Sequence, residues 1–125
     1  MGFLIVFLGG GLGAALRHGV NLASARLLGT AFPYHTLFEN VTGSLVMGLI
    51  AGYFAFRGGG GWQHWHLFLT TGILGGYTTF SAFGLETMLM LRRGDALLAT
   101  GYVIASVLLG LAAVWIGMKA VAFAR

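Results

Sequence analysis

Apolar residues run along this chain in four long stretches, at about 3–28, 35–56, 65–91 and 95–122, separated by short polar or glycine-rich intervals. A helix needs roughly 20 apolar residues to cross hydrocarbon, so each stretch predicts a transmembrane helix. The intervals are marked by turn residues: Gly29 and the only proline, Pro33, in the first, Arg57 followed by four glycines in the second, and Arg92-Arg93-Gly94-Asp95 in the third. The expected architecture is an all-α membrane protein of four transmembrane helices in one domain, residues 1–125. Within the third stretch, residues 72–86 read Gly-Ile-Leu-Gly-Gly-Tyr-Thr-Thr-Phe-Ser-Ala-Phe-Gly-Leu-Glu. Glycines and hydroxyls in mid-membrane predict a broken third helix, because irregular backbone at that depth is tolerated only where protein or a cavity satisfies the freed amides and carbonyls. Such breaks line ion pathways, which points to a channel or transporter and away from an enzyme. Phe80 and Phe83, three apart, share a face of the helix that resumes.

Composition supports the membrane assignment. Hydrophobic residues make up 58% of the chain and charged residues 8%, with a mean hydropathy of +0.88, where soluble domains carry about a quarter charged residues. Without cysteine, neither disulfides nor thiolate metal sites arise. A net charge of +4 is too sparse and dispersed for a nucleic-acid partner. The first apolar stretch lacks a short core followed by a small-residue cleavage site, so it reads as a retained span. Trp62, Trp65, His64 and His66 gather at the start of the third span. They read as an interfacial anchor, since His-x-His without nearby carboxylates is a poor metal site.

Four spans put Arg57, Lys119 and Arg125 on one side of the membrane and Arg26, Arg92 and Arg93 on the other, three against three. That balance gives no orientation signal and suggests copies inserted both ways, paired antiparallel. Small-residue patterns at Gly9-Gly10-Gly11-x-Gly13-Ala14, Gly43-Ser44-x-x-x-Gly48-x-x-x-Gly52 and Gly101-x-x-x-x-Ser106 offer faces for close helix approach, between subunits or within one.

Three motifs in order then resemble those of the fluoride channels called Fluc or CrcB: Gly9-Gly10-x-x-Gly13-Ala14-x-x-Arg17, Thr36-Leu37-x-x-Asn40-x-x-Gly43-Ser44, and Gly75-Gly76-x-Thr78-Thr79-Phe80-Ser81-x-Phe83. The resemblance covers essentially the whole chain. It implies passive fluoride export through two narrow pores of an antiparallel homodimer in the inner or plasma membrane. Residue by residue, it makes Asn40 a pore-lining amide and Phe80 and Phe83 fluoride-facing aromatics, beside the hydroxyls of Thr79 and Ser81. It assigns the backbone carbonyls of Gly75 and Thr78 to a structural sodium ion at the dimer centre. It also makes Tyr102 and Ser106, with Glu86 and Thr79, a polar track beside the pore, although Gly110 stands where the family commonly continues with a hydroxyl. Such donors suit a small, strongly hydrated anion, because an amide N–H, hydroxyls and the positive edges of phenyl rings can replace its water in steps.

Charges within spans default to functional hypotheses. Arg17 fits a vestibule that attracts anions or braces the dimer. Glu86, one turn beyond Phe83, fits vestibule water or the hydroxyl track. Glu39 departs from the family, which usually has an apolar residue before the pore asparagine. It reads as an engineered substitution, a natural change facing the interface or vestibule, or the mark of altered ion preference, and an altered but fluoride-selective channel is favoured. If Glu39 faces the pore, its charge opposes an entering anion. The runner-up is a small multidrug-type proton-coupled cation exporter using Glu39 or Glu86. Its chemistry typically wants a glutamate in the first span, which holds no acid. A third option is a membrane subunit that only packs with partners.

Overall fold

A computed structural model describes residues 1–56 and 60–124, and every regular element in it is helical. Arg57 and the first glycines of the second interval therefore lie outside the described residues, as does Arg125. Helix α1 spans Gly2–Leu28, α2 Tyr34–Phe56 and α6 Ala96–Phe123. All three are long and apolar enough to cross a membrane. Gly29 ends α1 at φ 76°, where a side chain would be strained, and Pro33 directly precedes α2, where its missing N–H costs nothing.

The third apolar stretch is assembled from pieces: α3 Gln63–Leu67, a π-helical segment Phe68–Leu74, the short α4 Gly75–Tyr77, and α5 Phe80–Arg92. At about 1.5 Å per residue the pieces together are long enough to cross hydrocarbon. The π-helical segment is marked by the Gly75 N–H, which reaches back to the Thr70 carbonyl. The break itself falls at Thr78 (φ −86°, ψ 155°) and Thr79 (φ −151°, ψ 127°), both extended. The glycines beside it are not where the chain turns, since Gly75 is helical at φ −63°, ψ −36°.

Those glycines serve close approach instead. A Cβ on Gly76 would collide with the Gly10 carbonyl, one on Gly13 with the Ile73 carbonyl, and Gly9 faces Gly72 backbone to backbone. Helix α1 thus lies directly on the first half of the broken segment. The stripe at Gly48 and Gly52 is used within the subunit, against Val114, Met118 and Val121 of α6, while Gly117 of α6 meets Leu45 and Gly48 in return. This α2–α6 pair is the most extensive helix contact in the chain. A Cβ on Gly101 would meet open space.

Burial is inverted relative to a soluble protein. Leu97 is 90% exposed and Phe3 95%, whereas Thr36 and Glu39 are sealed at 1% and 0%. Apolar rims facing hydrocarbon around a polar interior are what a bilayer solvent selects. The small apolar core joins Met90 of α5 to Ala99 and Tyr102 of α6, with Phe32, Leu37 and Phe83 packed around it.

Candidate functional site at the helix break

Asn40, near the end of the second turn of α2, faces the break and holds it open. Its Nδ2 donates to the Thr79 carbonyl at 3.0 Å, and its Oδ1 accepts from the Thr79 N–H at 2.9 Å. In an unbroken helix the Thr79 N–H would bond the Gly75 carbonyl, four residues back. Likewise the Ala82 N–H, the natural partner of the Thr78 carbonyl, donates to Thr79 Oγ1 at 3.2 Å and caps α5. The carbonyls of Gly75 and Thr78 are therefore among those at the break that lose their helical donors, here to side-chain acceptors. Such oxygens are the ligands that hard cations take.

Beside the break lies a cavity of about 370 Å³, open on one side, lined by Asn40, Thr78, Thr79, Phe80, Phe83 and Ser106 among others. Asn40 has a second amide N–H beyond the one given to Thr79. Ser106 Oγ is buried without a hydrogen-bond partner. The N-terminus of α5 starts here, and helix starts present unpaired N–H groups and a positive dipole end. Phe80 is 82% exposed, while Phe83 lies inward. The rings continue as a ladder, Phe80 to Phe83 at 5.7 Å, Phe83 to Tyr102 at 5.1 Å, and Tyr102 to Phe32 at 5.4 Å. Among the described residues no carboxylate lines the cavity.

The polar track expected through Thr79, Glu86, Tyr102 and Ser106 divides in two. Thr79 is engaged as the cap, with exposed Ser81 nearby at 3.4 Å. Glu86, one turn beyond Phe83, instead gathers donors from two other helices. His35 Nε2 and Thr36 Oγ1 donate to its Oε1 at 3.1 and 2.8 Å, and Tyr102 OH donates to its Oε2 at 2.8 Å. Ser106 bonds to none of them. Gly110 packs near the Ser44 hydroxyl, with no side chain of its own to extend a track.

Glu39 faces neither the cavity nor lipid. Its carboxylate is wholly buried against α1, where Asn21 donates to Oε1 once its amide is turned to suit its neighbours, the same nitrogen also reaching the Arg17 carbonyl at 3.0 Å. Glu39 Oε2 and Arg17 Nε are buried without hydrogen-bond partners. Arg17 lies near enough for its charge to act on Glu39, although no ion pair within 4 Å joins them. Of the directions open to Glu39 from the sequence, the single chain shows the one that points between helices, toward α1. Asn21 and His35 were not singled out from the sequence. Asn21 lies one turn from Arg17 on the same helical face, which is the signal that could have found it. At the other end of the third segment, Trp62 and Trp65 are 45% and 58% exposed, as an interfacial anchor requires.

The family model described as CrcB-like protein, Camphor Resistance (CrcB), matches residues 4–118. The chain is 64% identical over 118 residues to a protein of Rhodopseudomonas palustris (strain BisB5) named fluoride-specific ion channel FluC, covering 94% of each. Proteins of the same name from Methylobacterium nodulans and Granulibacter bethesdensis are 60% identical over 111 residues and 50% over 121, covering 89% and 97% of this chain and 88% and 94% of theirs.

Proposed function

This chain belongs to the CrcB-like family, and from that membership we propose that it conducts fluoride past the break in its third membrane segment. It is a fluoride-specific ion channel and not an enzyme. The observation that supports the route is the cavity, which combines amide, hydroxyl and helix-start donors with phenyl rings and, among the described residues, has no lining carboxylate. Fluoride would shed water stepwise onto Asn40, Ser106 and the first turn of α5, passing the ring edges of Phe80 and Phe83. On this reading export is passive and follows the fluoride gradient.

A single copy leaves the cavity open and Phe80 exposed, which supports a second copy completing the pore. The three-against-three charge balance supports an antiparallel pairing in the bacterial inner membrane, with two pores per dimer. Under the twofold axis the carbonyls of Gly75 and Thr78 from both copies make four oxygens, a donor set that fits a sodium ion. Bound there, sodium would supply a central charge tying the two breaks together.

The multidrug-type exporter finds no support. Glu86 is held by three donors and Glu39 is sealed against α1, and the relatives carry the channel name. Expression in a bacterium lacking its own fluoride exporter tests the function. Growth on fluoride should return, with no protection against quaternary ammonium compounds, and the reverse pattern would overturn the proposal.

A further inference from the structure

We propose that His35 is a positioning residue for fluoride passage, setting the charge beside the path through its grip on Glu86. The inference rests on the channel reading above. Glu86 sits one turn beyond Phe83, and its other oxygen holds the Tyr102 hydroxyl at 2.8 Å, whose ring packs on Phe83 at 5.1 Å. The carboxylate therefore both fixes the ring ladder and carries the nearest negative charge to the cavity on α5. Of its three donors, Thr36 and Tyr102 are hydroxyls, and His35 is the one whose side chain can also exist as a cation with two N–H donors. Its side chain is 30% exposed and stands on the second residue of α2.

The other charged groups around Glu86 are few. From α2 comes Glu39, buried beyond Thr36, and from α1 comes Arg17, whose positive charge offsets it. From α6 there is only Tyr102. At the end of α5 Arg92 and, just past it, Arg93 lie nearly two turns further on, both exposed, with Arg93 engaged by Asp95 at 3.5 Å. With His35 neutral, Glu86 leaves one negative charge beside the anion's path. With His35 as imidazolium the pair is neutral, and the hydrogen bond that anchors the carboxylate becomes charge-assisted. Fluoride then meets a lower barrier and a firmer ring ladder.

Fluoride efflux from liposomes holding the purified protein, in symmetric buffers from about pH 5.5 to 8, tests this across the histidine range, with protein-free vesicles subtracted for leakage of hydrogen fluoride. Wild-type flux should rise roughly three- to tenfold toward acid, the effect of one unit charge acting through a partly hydrated path. His35→Gln should be flat at the low level, His35→Lys flat at the high level, and Glu86→Gln insensitive to pH with His35 intact. A His35→Gln or Glu86→Gln channel that keeps the wild-type pH profile, or a conducting wild type with a flat one, overturns the inference alone. Absence of wild-type fluoride flux at every pH overturns the channel reading and this inference with it.

Discussion

Asn40 and Thr79 grip each other twice, side-chain amide to both backbone groups, at 3.0 and 2.9 Å. The residue that offers an N–H to the cavity is also the one that replaces the helical partners of the break. Asn40→Ala leaves both Thr79 groups unpaired at membrane depth, a loss of roughly 1–3 kcal/mol for each. Asn40→Asp keeps the acceptor for the Thr79 N–H but sets a carboxylate against the Thr79 carbonyl. Both variants should lose fluoride flux, and thermal unfolding in detergent should show lower stability for each.

Glu39 is expected to act on stability and not on conduction. Asn21 donates to it and Arg17 lies near, so Glu39→Val removes one acceptor from the half-buried Asn21 amide and the countercharge beside Arg17, and should lower the unfolding temperature. Glu39→Gln keeps an acceptor for Asn21 and should remain close to wild type. Flux per folded channel should be unchanged in both, and the pH profile of the valine variant should match the wild type. A valine variant that conducts more and loses its pH response would return Glu39 to the pore.

Phe80 and Phe83 should separate in stability while agreeing in flux. Isoleucine removes the ring edge at similar bulk, so fluoride flux should fall strongly in each variant. Phe83 packs on both Tyr102 at 5.1 Å and Phe80 at 5.7 Å, whereas Phe80 is 82% exposed and pairs with Phe83 alone, so Phe83→Ile should lower the unfolding temperature more, each lost ring pair contributing about 0.5–1.5 kcal/mol. Dimerisation should survive both changes.

The balanced flanks predict both orientations in one membrane. A tag at the C-terminus should be reached by an impermeant probe from either side, and two lysines added to the 57–64 loop should bias insertion and lower activity when that variant is expressed alone. Co-expression with an oppositely biased copy should restore it. A wholly one-sided tag would exclude the antiparallel pair.

Much of this was legible in the sequence because the bilayer constrains it. Apolar length fixes α1, α2 and α6 to within about two residues of the stretches read from the chain, and hydroxyls at mid-membrane fix a break. The residue at which the chain leaves the helix was not legible. Glycine is the usual sign of unusual backbone, yet Thr78 and Thr79 make the turn, because Asn40 of another helix supplies their missing bonds. A tertiary partner of that kind leaves no local trace. The glycine stripes were ambiguous for the same reason, since the same small-residue spacing serves contacts within a subunit and between subunits. The direction of Glu39 was not legible either, because it depends on Asn21, a residue that looks ordinary until α1 and α2 are set side by side.

The most direct test is efflux of fluoride and chloride from the same proteoliposomes, read by ion-selective electrodes after a potassium ionophore releases the membrane potential. The wild-type protein should empty the vesicles of fluoride while chloride stays inside, and Asn40→Ala should abolish the fluoride signal. Equal release of both anions, or fluoride efflux that persists when Asn40 is replaced, would contradict a selective path at the helix break.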